Sequence, residues 1–134
     1  MLAVLAFNAF AAGAGAADSS LVVQGEKQWA EGRLNEARKS FEQAAAAEPK
    51  SAVPLMKLGG LHLTNSDPGA AIQTYQRALS LDSKNAKAWI GLGLAYLHMG
   101  QKDLSRAAFG EAIRVDPTRK AQLASLAEKP AGGE

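Results

Sequence analysis

The chain has 134 residues, room for one domain of ordinary size, with 47% hydrophobic, 21% charged and only 6% aromatic residues. Fifteen Lys and Arg against thirteen Asp and Glu leave a net charge of +2, too small an excess to make nucleic acid the expected partner. With no cysteine there are no disulfides, no thiolate nucleophile, no zinc or iron–sulfur site built on cysteine and no cysteine-borne lipid. Stability has to come from packing, and the wealth of alanine favours helices held closely together through small side chains.

Residues 1–17 carry no charge, and every charged side chain lies at Asp18 or beyond. Leu2, Val4, Leu5, Phe7 and Phe10 form an apolar run, and Ala14-Gly15-Ala16 has the small-x-small form that a signal peptidase accepts. The segment therefore reads as a secretory signal peptide cut before Ala17 or Asp18, giving a periplasmic or secreted protein. No Lys or Arg precedes the apolar run, so the alternative is an added leader on a cytoplasmic chain. Stable membrane insertion is not expected, because a span needs about 20 apolar residues and Asn8, Gly13 and Gly15 interrupt this run.

Beyond the leader, residues recur at an interval of thirty-four: Gly25, Gly59 and Gly93; Phe41, Tyr75 and Phe109; Ala44, Ala78 and Ala112; Pro49, Ser83 and Pro117. Three units follow without insertion, over 18–51, 52–85 and 86–119. Within a unit the apolar spacing is helical. In the third, Trp89, Leu92, Tyr96 and Met99 precede Gly100, and Leu104, Ala108, Phe109, Ala112 and Val115 follow it. Each unit is thus a helix, a turn and a second helix. Gly32 and Gly100 suit the left-handed residue that ends a first helix, and Asp67 before Pro68 suits the start of a second. Pro49 and Pro117 stop the second helices of the outer units, with Ser51 and Thr118 placed to cap what comes next. Residues 120–129 form a capping helix in which Leu123 and Leu126 are both expected to be buried, and 130–134 form a flexible tail.

No nucleophile, base and orienting acid stand at a spacing that marks an enzyme, so no catalytic residue, metal or cofactor is expected. His62 and His98 occupy different places in the repeat, and His62 reads as a partly buried neutral imidazole in a core position. Gly91-Leu92-Gly93 lies inside a helix and is a packing feature, since no strand precedes it. Charge runs from −1 in the first unit to +1 and +2 in the next two. Arg106, Arg114, Arg119 and Lys120 make a modest basic end, the basis of a less favoured reading as a weak nucleic-acid binder.

The third unit reads Trp89-x-x-Leu92-Gly93-x-x-Tyr96, then Phe109, Ala112 and Pro117, and resembles the tetratricopeptide repeat (TPR). The second carries Leu55, Leu58, Gly59, Ala71, Tyr75 and Ala78, with His62 in the Tyr place and Ser83 in the Pro place. The first matches at Leu21, Gly25, Ala37, Phe41, Ala44 and Pro49, with Gln24 and Gln28 at an apolar and an aromatic position, and Ser105 departs from the usual Ala. The resemblance implies an all-α fold, a right-handed α-solenoid of three helix-turn-helix units plus a C-terminal capping helix.

It also implies a concave groove along the first helices, onto which Val22, Glu26, Met56, Gly60, Thr64, Lys87, Ile90, Leu94 and His98 map, with Ile90 and Leu94 exposed. Some family members grip a peptide's terminal carboxylate with Lys, Asn and Arg side chains there. Of those places only Lys87 is suitably basic, while Val22, Glu26, Lys57 and Gly91 depart. The function implied is a protein-interaction module taking an apolar or helical segment of a partner protein, as in small exported TPR proteins that act as assembly factors or adaptors in the cell envelope. The alternative is a self-associating scaffold, a homo-oligomer stacked through its open ends.

Overall fold

The computed structural model describes residues 20–128. The expected leader 1–17, Lys129 at the end of the expected cap and the tail 130–134 lie outside the described residues. Helix α1 covers 20–30; α2 (Leu34–Ala47), α3 (Val53–Thr64), α4 (Pro68–Leu81), α5 (Ala86–His98) and α6 (Lys102–Val115) follow, then a 3-10 turn (Pro117–Arg119) and α7 (Lys120–Ala127). No strand occurs among the described residues, and the expected all-α solenoid is the fold. From α2 onward each helix packs on the next, and α3 also touches α5. First helices of successive units therefore stand side by side on one face.

The turns repeat as strictly as the helices. Arg33 N–H donates to Gln28 O, Asp67 N–H to His62 O and Gln101 N–H to Tyr96 O, at 2.8, 2.8 and 2.9 Å. Such a closure needs a left-handed residue just before the donor. Gly32 and Gly100 supply it with φ of 76° and 72°, whereas the middle unit uses Ser66 at 57°. The second helices end at Ala47, Leu81 and Val115, each followed by a residue whose N–H returns to Ala44, Ala78 or Ala112 O at 3.0 Å. The middle one stops in register although Ser83 replaces proline there. Asp67 and Asn85 cap α4 and α5 by accepting from Ala70 N and Ala88 N. Ser51 and Thr118 do not cap as expected: Ser51 Oγ is 3.4 Å from Val53 N, and Asp116 is the residue whose carboxylate accepts from Thr118.

The core is one aromatic ring per unit wedged against glycine. Phe41, Tyr75 and Phe109 are buried, and a Cβ added at Gly25, Gly59 or Gly93 would lie 2.5, 2.8 and 2.8 Å from the matching ring. Ala44, Ala78 and Ala112 are fully buried where one unit meets the next. Two polar departures from the repeat form buried bonds: Ser40 Oγ donates to Gln28 Oε1 at 2.6 Å and Ser105 Oγ to Gly93 O at 2.8 Å, so both hydroxyls are satisfied.

Only half of the expected cap is buried. Leu123 packs with Phe109 and Ala112, but Leu126 is 39% exposed. Leu126 occupies the register of Leu92, which α6 covers as the second helix of its own unit. No helix follows α7 among the described residues to do the same.

Candidate functional site

On the face formed by α1, α3 and α5, a cleft of about 540 Å³ is lined by Trp29, Val53, Met56, Lys57, Tyr75, Asn85 and Lys87. Each wall has a local cause. Trp29 stacks edge-on against Phe41, its ring centroid 6.2 Å away, and its far edge lies over Gly60, where a Cβ would stand 3.0 Å from it. Met56 packs on the central core cluster. The Tyr75 ring reaches out from α4 between α3 and α5 because Gly59 and Gly91 offer no side chain; a Cβ at 91 would fall 2.2 Å from Cζ. Asn85 caps α5 and Lys87 belongs to its first turn.

The residues expected in the groove are dispersed over this face. Met56 and Lys87 line the cleft itself. Glu26 forms an ion pair with Lys57 across α1 and α3, both about half in solvent, so the pair positions charge more than it stabilises. Val22 is half-buried on α1, Gly60 makes room for Trp29, and Thr64 spends its hydroxyl on Gly60 O at 3.1 Å. Leu94 and His98 are exposed further along α5. Ile90 differs from expectation: it is half-buried against the cluster that Phe109 and Ala112 of α6 form with Leu123 of α7. The basic end is also largely neutralised, Arg106, Arg114 and Arg119 pairing with Asp103, Glu111 and Asp116 one turn earlier.

Tyr75 and Asn85 are cleft residues that the repeat pattern does not disclose, since it assigns position 75 to the core, whereas Lys57 holds one of the groove places named above. A second cleft, about 430 Å³ between α4, α5 and α6, has its polar groups bonded within the chain: Gln76 Nε2 donates to Tyr96 Oη at 3.2 Å, and Trp89 Nε1, from one wall, to Ser83 O at 2.8 Å. Among the described residues no three His, Cys, Asp or Glu side chains gather to hold a metal. No helix among them is long and apolar enough to cross a membrane.

A family model for the tetratricopeptide repeat matches residues 62–129, about half of the chain, and a second matches 22–86. The chain belongs to the tetratricopeptide repeat family. This TPR chain is 34% identical, over 65% of its length, to peptidyl-prolyl cis-trans isomerase FKBP4 of Bos taurus. It spans only 5% to 19% of the length of the first curated relatives it matches. The crystal structure of MamA is similar at 28% identity with a TM-score of 0.74, covering 81% of this chain and 64% of that one. The second TPR domain of human RPAP3, solved by NMR in complex with the HSP70 peptide SGPTIEEVD, gives a TM-score of 0.77 at 19% identity, covering 87% of this chain and 99% of that one. At that identity the likeness is one of fold.

Tyr75 gives the TPR array an alkaline limit. Burial pushes its hydroxyl from 10.0 up to about 12, because the phenolate would lose its hydration. A raised folded-state value leaves stability intact below pH 10 and removes it as pH climbs towards 12. Between about pH 9 and about pH 11.5 the wild type is expected to lose about 2 kcal/mol more than Tyr75→Phe in urea melts. Equal losses in the two proteins would show that the Tyr75 hydroxyl ionises freely in the fold.

Proposed function

We propose that the chain is a protein-binding adaptor that holds a segment of a partner protein along α1, α3 and α5. The observation that carries this reading is the open cleft on that face, floored by Trp29, Val53 and Met56, with Leu94 and Leu97 exposed beyond it. Apolar surface arranged as a groove gains free energy when a partner's side chains displace its water. The fold that the RPAP3 domain uses with its peptide supports the same use here.

Peptides displayed on phage and selected on the purified chain test the reading. Val53 is 50% exposed and lies at the amino end of α3, where a carboxylate is well tolerated. Val53→Glu is therefore expected to change stability by no more than about 0.5 kcal/mol while abolishing capture of the selected peptides. Leu94→Glu should weaken it. Undiminished capture by Val53→Glu would overturn the groove assignment.

The proposal extends to an exported assembly factor or adaptor of the cell envelope, supported by the apolar run from Leu2 to Phe10 and by Ala14-Gly15-Ala16. Native protein whose amino-terminal residue is Ala17 or Asp18 would agree with export, and retention of Met1 would end that part of the proposal.

A further inference from the structure

We propose that the α3–α4–α5 cleft recognises one carboxylate, an Asp or Glu side chain inside the partner's segment, through a hydrogen bond from the Tyr75 hydroxyl and the charge of Lys87. This deepens the groove reading and rests on it.

Each unspent polar group of the cleft can donate, and two of them, Asn85 Nδ2 and the Lys87 ammonium, can do nothing else. The Tyr75 hydroxyl belongs to a side chain only 6% exposed, lines the cleft and has no hydrogen-bond partner among the described residues. Asn85 Oδ1 is committed to capping α5, while its Nδ2 meets only Met56 Sδ at 2.8 Å, and a thioether is a weak acceptor. Lys87 is exposed and joins no ion pair among the described residues. A buried donor without an acceptor costs free energy, and a ligand oxygen is what would recover it.

Packing does not require that hydroxyl. At the same register the first and third units use Phe41 and Phe109, rings that fill the equivalent space without an oxygen. The residue facing the Tyr75 tip is also exceptional: Gly91 stands where the other registers have Lys57 and Ser125. A Cβ at 91 would lie 2.6 Å from the Tyr75 oxygen, so the glycine is what lets the hydroxyl reach the cleft.

The charge count sets the ligand at a single carboxylate. Lys57 is already neutralised by Glu26, which leaves Lys87 as the cleft's uncommitted cation, and Glu26 opposes a second anion beside Lys57. Apolar side chains continue on both sides, Trp29 and Met56 towards α1 and Leu94 along α5. A segment that runs through, with its acidic residue between apolar ones, fits better than one that ends in the cleft.

The probe is an acetylated, amidated Ser-Leu-Glu-Leu-Ser peptide titrated into the full chain carrying Trp89→Phe, so that Trp29 in the cleft reports binding. Tyr75→Phe restores the residue of the other two units and should fold. It should bind this peptide about tenfold or more weaker, the loss expected for a hydrogen bond to a charged group. The Gln version should bind the unsubstituted cleft comparably weakly, and Lys87→Gln should erase the preference for Glu. Equal binding of the Glu peptide by Tyr75→Phe, or of the Glu and Gln peptides by the unsubstituted cleft, overturns the proposal. A Gln peptide with a free carboxyl terminus that matches the Glu peptide overturns the internal acidic residue. If selected peptides still depend on Val53 while Tyr75→Phe is silent, this inference fails and the groove reading stands; if neither substitution matters, both fail.

Discussion

Leu123→Ala is expected to lower the stability of the chain by about 2–5 kcal/mol, a large part of the 5–15 kcal/mol that about one domain possesses. Leu123 is 3% exposed and closes the far side of the cluster containing Phe109 and Ala112. Truncating it opens a cavity against a ring that is itself 1% exposed, and a solenoid has no other layer to collapse into the gap. Leu126→Ala, three residues later on the same short helix, should cost under about 1 kcal/mol because that side chain already faces solvent. Urea denaturation of the two variants separates them. Similar losses, or a tolerated Leu123→Ala, would mean that α7 does not dock through Leu123.

Gly93→Leu is expected to destabilise by about 3 kcal/mol or more, the upper range of overpacking. The first added carbon alone would stand 2.8 Å from Phe109, a ring that is 1% exposed and packed in one buried cluster with Ala112 and Leu123. Spreading α5 from α6 would also break the buried bond from Ser105 Oγ to Gly93 O. Gly110→Ala is the control in the neighbouring helix. A Cβ there meets nothing within 4 Å, so removing a mid-helix glycine should stabilise by about 0.5–1 kcal/mol. The opposite signs should appear as opposite shifts of the urea midpoint. A Gly93→Leu protein as stable as the wild type would show that the α5–α6 crossing is not held at the glycine.

The sequence by itself determined the architecture, because the contacts that build it are local and repeat. A ring at 41, 75 and 109 meets a glycine sixteen residues earlier in its own unit, and the helix ends follow short-range rules: left-handed Gly32 and Gly100, and Asp67 before Pro68. Ser66 escaped those rules, since the hydrogen bonds of the turn impose on serine the conformation that glycine adopts freely elsewhere. The tertiary structure decided what depends on how far a neighbour reaches. Helical period marks Ile90 as off the core stripe, yet it packs against the cluster that Phe109 and Ala112 form with Leu123; the same period marks Leu126 as core, yet no described helix lies over it. The Tyr75 hydroxyl belongs to the same class. Its place in the cleft arises from absent side chains on two other helices, at Gly59 and Gly91, a coincidence in space that periodicity, which reports only which side of one helix a residue occupies, does not contain.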